Sequence, residues 1–168
     1  MGSPNMSKAE LQKDGAPIVG ILTGSPSDLE LVNKARDALH TLGVPCEVKA
    51  LSAHRTPDRV LEYVKSAPGR GIEVIIACAG MAAHLAGVVA ANTTLPVIGV
   101  PLASGALNGL DALLSTVQMP PGVPVATVGV DATRNAGVLA ARILSLKHTE
   151  LAGRIEAQLA TERARYAD

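Results

Sequence analysis

Short, nearly continuous apolar runs alternate along this chain with longer segments in which apolar residues recur every three or four positions. The short runs are rich in β-branched residues, as strands buried on both faces of a sheet are. They predict strands at 17–23, 46–51, 72–78, 96–100 and 125–130. The longer segments have the helical period and predict helices at 28–42, 57–66, 83–92, 110–116, 133–146 and 150–166. Strands that alternate with helices, with no hairpin signal between them, predict a three-layer α/β/α sandwich around a parallel five-stranded sheet.

Polar residues and proline mark where the first two helices begin. Ser27 and Glu30 have the spacing of a capping box, which predicts that Ser27 precedes the first helix. Thr56 is suited to cap the second helix, because Pro57 can occupy the first helical position, where a missing N–H costs nothing.

The chain divides by pattern into one main unit and two end segments. Residues 1–16 are interpreted as a cloning remnant and an N-terminal lead, 17–148 as the α/β/α catalytic domain, and 149–168 as a C-terminal helix. That last helix has only a thin apolar stripe, Leu151, Ile155 and Leu159. We therefore expect it to pack on the edge of the domain or on a neighbouring subunit.

The charge balance argues against a broad nucleic-acid-binding face. Fifteen Lys and Arg residues equal fifteen Asp and Glu residues, so the formal net charge is zero. A local cationic pocket for a small anion is still compatible with this balance. No nucleic-acid partner is expected.

The two cysteines, Cys46 and Cys78, lie far apart within apolar runs and are interpreted as buried small hydrophobic residues. A metal site would need more ligands at closer spacing, so no metal is expected. No N-terminal signal is visible in the sequence, and a reducing cytoplasm is therefore the expected location.

One apolar run has nearly the length of a membrane span. Residues 74–91 carry His84 as their one strongly polar side chain, but they also contain Gly80 and Gly87. The run lacks the basic flanks and aromatic belt of a membrane helix. A strand, a glycine-containing loop and a small-residue helix explain the run better, and no membrane partner is expected.

Candidate chemistry lies where three predicted strands lead into helices, because ligands of α/β sheets bind at the carboxyl ends of strands. Gly24-Ser25-Pro26-Ser27-Asp28 offers two hydroxyls and a helix N-terminus, which together suit a phosphate. Considered alone, this segment is better explained by ordinary helix capping. Its sequence is neither a P-loop nor a dinucleotide-binding fingerprint.

The second and third junctions carry histidines. In Ser52-Ala53-His54-Arg55-Thr56-Pro57, Arg55 suits bidentate anion binding and His54 can transfer a proton near neutral pH. The third junction, 79–87, combines glycines that allow close backbone approach with His84, placed in the first turn of the predicted helix. A helix N-terminus disfavours imidazolium, so His84 is expected to be neutral. A surface pair at 54–55 and a structural His84 are the simpler alternatives.

Taken together, these loops resemble the N5-carboxyaminoimidazole ribonucleotide mutase family of purine biosynthesis. The resemblance continues in Leu-Pro-Val-Ile-Gly-Val-Pro at 95–101, Val-Gln-Met-Pro-x-Gly-x-Pro-Val at 117–125 and Asn135-Ala136, and covers about 18–146. It implies a flavodoxin-like fold, a homo-octamer, a ribonucleotide substrate, and neither metal nor organic cofactor. Two departures from the family pattern are Met81, where glycine is frequent, and Ala86, where proline is usual. The loop at 131–134 is also shorter than in some members.

The resemblance also implies roles for individual residues. Ser25, Ser27 and Arg55 would hold the ribotide phosphate, Asp28 the ribose hydroxyls, and His54 would move the proton. The remaining substrate-binding positions that it implies are Ser52, Ala53, Gly80, Ala82, Ala83, His84 and Leu85.

The predicted activity is movement of the substrate's carboxylate from the exocyclic nitrogen to ring carbon C4, by decarboxylation and recarboxylation with trapped CO2. One alternative is the sister carboxylase, which would use the uncarboxylated aminoimidazole ribotide and CO2 directly. A second alternative is a non-catalytic module on the same fold that binds a flavin or nucleotide. The fold by itself does not choose among the three.

Overall fold

A computed structural model describes residues 15–166, so the segment 1–14, including most of the predicted lead, lies outside the described residues. The five strands are β1 (Val19–Thr23), β2 (Cys46–Ala50), β3 (Val74–Gly80), β4 (Val97–Leu102) and β5 (Ala126–Thr127). The helices are α1 (Leu29–Thr41), α2 (Pro57–Ser66), α3 (Leu85–Ala90), α4 (Leu110–Val117), α5 (Thr133–Ser145) and α6 (Glu150–Ala164).

The strands form one parallel sheet in the order β2-β1-β3-β4-β5. This is the flavodoxin-like order, and the predicted fold class, including the extra C-terminal helix, is confirmed. The order reverses between β1 and β3, where chain connections leave toward opposite faces of the sheet. Thr23 at the end of β1 is in register with Ala50 of β2 and Cys78 of β3, so the three junctions meet at one edge.

Apolar cores fill both faces of the sheet. On one face, α1 and α5 pack closely together and α6 covers their edge, with Val32, Leu39, Ala140 and Leu151 buried. On the other face, α2 and α3 cover Leu22, Ile75 and Ala77. Neither core contains Phe or Trp, because the chain has none. Without large side chains to fill space, a well-packed core requires the helices to lie close to the sheet and to each other, and small residues allow this.

Gly137 shows how close that approach is. A Cβ at this position of α5 would lie 2.7 Å from the Ala35 carbonyl oxygen and 3.1 Å from the Ala38 Cβ, both on α1. The missing side chain therefore lets α5 rest directly against the backbone of α1.

The structure corrects the predicted capping box. Ser25, not Ser27, accepts the helix-end hydrogen bond, from the Ser27 N–H at 3.3 Å, and this caps a short 3₁₀ turn at Pro26–Asp28. The Ser27 hydroxyl bonds Ser25 Oγ at 2.8 Å and Asp28 Oδ1 at 3.1 Å. The residues that were expected to cap α1 instead form a polar loop ahead of it.

Thr56 does occupy the position before α2, but its hydroxyl makes no cap hydrogen bond. Thr56 Oγ1 donates to the Ser52 carbonyl at 3.1 Å and accepts from the Ser52 N–H at 3.0 Å. This pair of hydrogen bonds closes the loop at 52–56 on itself and holds its shape.

Two predicted elements are shorter than expected. The strand predicted at 125–130 is regular only at Ala126–Thr127, although the Val128 and Asp131 N–H groups still donate to Gly99 and Pro101 of β4. Pro101 has no N–H to offer in return. The helix predicted at 83–92 spans Leu85–Ala90, so His84 precedes its first turn.

The C-terminal helix packs on the edge of its own domain. Leu151 and Ile155 are buried, and Arg154 Nη1 donates to the Leu42 carbonyl at 3.0 Å, at the end of α1. Gly43 follows with a φ of +70°, and a Cβ there would meet Arg154 Nη1 at 2.5 Å. The apolar run at 74–91 is divided between β3 and α3, and no helix among residues 15–166 is long and apolar enough to cross a membrane.

Candidate functional site

A cleft of about 670 Å³ opens at the carboxyl edge of the sheet, where the loops after β1, β2, β3 and β4 meet. The first three loops are those singled out in the sequence. Residues from these loops and from the adjoining helices line the cleft: Gly24, Ser25, Ser27, Asp28, Leu31, Ser52, Ala53, His54, Arg55, Ala79, Gly80, Met81, Ala82, Leu85, Leu102, Ala103 and Ser104.

The loop after β1 presents two hydroxyls and a carboxylate that hold one another in place. Ser25 Oγ and Ser27 Oγ are 2.8 Å apart, and Ser27 Oγ donates to Asp28 Oδ1 at 3.1 Å. The buried Thr23 hydroxyl lies 3.3 Å from the Ser25 carbonyl and 3.5 Å from Asp28 Oδ2. The loop therefore offers polar groups with preset positions, as a polar ligand requires.

Arg55 ties the loop after β2 to the loop after β1. Its Nη2 donates to the Gly24 carbonyl at 2.6 Å, and its Nε donates to Ser52 Oγ at 3.2 Å. The Ser52 hydroxyl also accepts from the Arg55 backbone N–H at 3.2 Å. The guanidinium is thereby oriented at the cleft beside Ser25, and no carboxylate in residues 15–166 forms an ion pair with it.

His54 and His84 meet although they are 30 residues apart in the chain. His54 Nε2 lies 2.8 Å from His84 Nδ1, and the two rings are perpendicular with centroids 4.9 Å apart. This hydrogen bond needs one N–H and one lone pair between the two nitrogens. His54 lines the cleft. His84 does not line it and is connected to it only by its hydrogen bond to His54.

The loop after β3 runs very close to the loop after β4 at Gly80. A Cβ on Gly80 would lie 2.5 Å from Ser104 Oγ and 3.2 Å from the Leu102 carbonyl oxygen. Ala82 and Leu85 line the cleft, whereas the side chain of Ala83 is buried and does not. The absence of a side chain at Gly80 leaves room for this approach, which brings the segment after β4 next to the third loop.

The segment after β4, residues 102–104, forms a fourth wall of the cleft that the sequence did not predict. Leu31 of α1 also lines the cleft and was not predicted. A signal for this wall was present in the sequence: a strand bracketed by Pro96 and Pro101 is followed by small residues. The carboxyl end of a strand next to β3 is where ligands of such sheets bind. Asp131 supports this wall, because its Oδ1 accepts from the Ala103 N–H at 2.9 Å. Asp131 adopts a φ of +57° to make that contact.

The two cysteines are free and do not take part in the cleft. Cys78 is fully buried, as expected, whereas Cys46 is half-buried against the core. Burial raises the pKa of the Cys46 thiol to about 11 and also raises the pKa of Cys78. Within residues 15–166, no three His, Cys, Asp or Glu side chains lie where they could share a metal ion.

Comparison with known proteins places the chain in a family. A family model described as AIR carboxylase matches residues 18–165. The N5-carboxyaminoimidazole ribonucleotide mutase of Pyrococcus abyssi is 60% identical over 139 residues, covering 83% of this chain and 80% of that protein. The protein of the same name from Bacillus subtilis is 58% identical over 142 residues, covering 83% and 88%. These matches confirm the resemblance that the loops predicted.

The fold comparison agrees. A crystal structure of Treponema denticola PurE superposes with a TM-score of 0.82 at 30% sequence identity. The match covers 89% of this chain and 94% of that chain. The likeness therefore extends over nearly all of both chains.

Proposed function

The chain belongs to the AIR carboxylase family, and from that membership we propose that it is an N5-carboxyaminoimidazole ribonucleotide mutase of purine biosynthesis. Its relatives from Pyrococcus abyssi, Thermotoga maritima and Bacillus subtilis carry this name at 56–60% identity. The observation that carries the proposal is one cleft in which a hydroxyl-rich loop, an oriented guanidinium and a histidine converge.

The ribotide phosphate is proposed to bind between the first two loops. Ser25 and Ser27 supply hydroxyls, and Arg55 supplies a cation that its bonds to Gly24 and Ser52 hold in place. A guanidinium pairs well with phosphate oxygens because its N–H groups form a planar fork. Asp28, itself bonded to Ser27, is proposed to accept hydrogen bonds from the ribose hydroxyls.

The aminoimidazole is proposed to lie toward the loops after β3 and β4. Their lining is mostly apolar and small, with Ala79, Gly80, Ala82, Leu85 and Leu102. A flat heterocycle can approach the backbone at Gly80, because no side chain intervenes there. Ser52 and Ala53 complete the proposed set of residues that line the substrate. Ala83 could take part only through its backbone and His84 only through its hydrogen bond to His54, because neither side chain lines the cleft.

The proposed reaction moves one carboxylate in two steps. The bond between the exocyclic nitrogen and the carboxylate carbon breaks, the electron pair returns to the aminoimidazole, and CO2 is released inside the cleft. Ring carbon C4 then attacks CO2 and forms the new carbon–carbon bond. The nitrogen gains one proton and C4 loses one, so a single proton-transfer group can serve both steps.

We assign that proton transfer to His54. It lines the cleft, and imidazole changes charge near neutral pH. Its hydrogen bond to His84 orients the ring. The walls of the cleft must also keep water out while CO2 is free, because CO2 lost to solvent ends the reaction.

The deciding experiment compares two substrates with the same purified protein. We expect conversion of the N5-carboxylated ribotide to the C4-carboxylated product without ATP or bicarbonate, above the rate of a protein-free blank. If instead the uncarboxylated aminoimidazole ribotide plus CO2 is the substrate used, the protein is the sister carboxylase. If neither ribotide is converted while the protein is folded, the enzymatic assignment is overturned.

A homo-octamer, implied by the family resemblance, is part of the proposal. It is supported by an apolar stripe on α4, where Leu110, Leu114 and Val117 are 54%, 46% and 47% exposed. They recur at i, i+4 and i+7 and lie on one face of the helix. Leu107 adds to the same exposed apolar surface, and exposed apolar patches mark interfaces. We propose that a second copy of this chain covers the stripe.

We also propose a cytoplasmic location. Both cysteines of the chain are free thiols, which suits a reducing compartment.

A further inference from the structure

Met81 has an unusual backbone conformation for its residue type. It follows β3 with a φ of +52°, in the left-handed region that favours glycine. Its side chain is 55% exposed and lines the cleft. A residue with a Cβ in this conformation at a functional site suggests that the side chain has a task there.

The side chain of Met81 reaches the opposite loop. A Cβ built on Gly105 would lie 3.7 Å from both Cγ and Sδ of Met81, so the thioether lies opposite Gly105, across the gap that a side chain there would fill. Ser104, one residue earlier, lies closer still to Gly80, where a built Cβ would be 2.5 Å from Ser104 Oγ. The loops after β3 and β4 therefore come together in two neighbouring places, where Gly80 leaves room for Ser104 and where the Met81 side chain lies opposite Gly105.

The lining of the cleft on this side is mostly apolar, with the Ser104 hydroxyl as a polar exception. Ala82, Leu85 and Leu102 line the same part of the cleft. CO2 has no charge and no N–H or O–H group, so an apolar wall can confine it without hydrogen bonds. Methionine suits such a wall, because its flexible, polarizable side chain fills irregular gaps.

We propose that Met81 is a positioning residue that closes the side of the cleft between the loops after β3 and β4 and retains CO2 beside the ribotide. This inference rests on the proposed mutase function. The side chain touches no reacting atom in this role. It acts by keeping the two walls joined while CO2 is free, so its loss lets CO2 escape before C4 captures it.

Isotope retention tests this directly. The N5-carboxylated ribotide is prepared with ¹³C in its carboxylate and converted in buffer containing excess unlabelled bicarbonate. Mass spectrometry then measures how much ¹³C stays in the C4-carboxylated product, together with the yield of uncarboxylated ribotide, both corrected with a protein-free blank. Escape of CO2 lowers retention and raises that yield. All proteins are compared at equal total turnover rate, so that spontaneous decarboxylation of the substrate contributes equally to each.

Three variants separate side chain from backbone. For Met81→Ala and Met81→Gly, we expect the escaped fraction to rise roughly tenfold, the size of effect that a methylene-scale contact has on discrimination. Met81→Leu restores apolar bulk and should bring the ratio back toward the wild-type value. Leu146→Ala is the matched control, because Leu146 is an exposed apolar residue that does not line the cleft.

Different outcomes would overturn the role of Met81 and the proposed mutase activity. Failure of the wild-type protein to convert the substrate would overturn the mutase assignment. A wild-type protein that works, with Met81→Ala and Met81→Gly retaining ¹³C as well as it does, would overturn the role of Met81 alone. A rise in Met81→Ala but not in Met81→Gly would assign the effect to backbone strain and overturn the side-chain role.

Discussion

His54 and Arg55 are neighbours in sequence, but they have different partners. Arg55 donates to Gly24 and Ser52, whereas His54 is bonded to His84. The proposed division is that Arg55 binds substrate and His54 carries out chemistry. Substitutions should therefore separate binding from turnover at adjacent positions.

For His54→Asn we expect kcat to fall by about 10²–10⁴-fold, the usual contribution of a general acid–base group. Binding of the uncarboxylated ribotide, measured by calorimetry, should persist because the phosphate contacts are intact. Arg55→Gln should give the reverse pattern, with binding weakened more than turnover. Near-normal turnover by His54→Asn would remove His54 from the proton-transfer role.

Glu47 belongs to a separate ionic cluster on β2. It accepts from Tyr63 Oη at 2.9 Å and Arg70 Nη1 at 2.6 Å, and the Arg70 guanidinium lies 4.7 Å from the Tyr63 ring centroid. Burial opposes ionisation of Glu47, but the hydrogen bonds from Arg70 and Tyr63 outweigh it and lower its pKa. The cluster holds α2 and the turn that follows it against an edge strand.

Because the pKa of Glu47 is lower in the folded protein, ionised Glu47 stabilises the fold above the unfolded pKa. That contribution disappears as pH falls through the folded pKa. Glu47→Gln should therefore reduce the free energy of unfolding by about 1 kcal/mol at pH 7. In urea titrations the difference from wild type should shrink below about pH 4.3, the usual pKa of glutamate. Glu62→Gln, an exposed change on α2, is the control; a pH-independent difference would contradict this account.

The spacing between secondary-structure elements depends on glycines, whose lack of a side chain lets neighbouring elements pack closely. Gly137, where α5 meets α1, and Gly99 of β4, on which α3 and α4 pack, both leave no room for a Cβ. At Gly99 it would meet Thr116 Cγ2 and would lie 3.3 Å from the Ala86 Cβ. The core contains no Phe or Trp to fill wide gaps, so it is packed by bringing helices and strands close together.

Gly137→Ala should destabilise the fold by about 1–3 kcal/mol, because the neighbour that the new methyl meets is backbone and cannot rotate away. Gly153→Ala is a matched control in α6, where a Cβ would meet nothing within 4 Å. That change should stabilise by about 0.5–1 kcal/mol through helix propensity. Thermal or urea unfolding measures both, and equal effects of the same sign would contradict the packing argument.

At the scale of the whole molecule, the sheet order places the cleft and α4 presents an apolar face. The crevice lies at the carboxyl ends of the strands, beside the point between β1 and β3 where the order reverses. The α4 stripe remains exposed in a single chain. The proposed octamer explains that exposure, because a second copy of the chain would cover the stripe.

Leu114→Lys places a charge at the centre of the α4 stripe and should dissociate the assembly, because an unpaired charge is costly to bury. Light scattering coupled to size exclusion should give a smaller mass than for the wild-type protein. Leu146→Lys, at a residue that is 87% exposed and lies outside the stripe, should leave the mass unchanged. An unchanged mass for Leu114→Lys, or a monomeric wild-type protein, would contradict the proposed interface.

Local patterns in the sequence were enough to predict the fold class, the order of strands and helices and three loops of the cleft, because each depends on periodicity, turn residues or a contiguous motif. Ser25, His54 and Gly80 could be named in advance for that reason. The family of the chain was also predicted from those motifs.

Tertiary structure alone decided the contacts between segments far apart in the chain. The His54–His84 hydrogen bond, the Arg55 bond to Gly24 and the support of Ala103 by Asp131 span 30, 31 and 28 positions. No local pattern encodes such distances, because they depend on strand register and helix spacing. The same holds for Met81, whose departure from the family pattern was visible in the sequence, whereas its position opposite Gly105 required the folded loops.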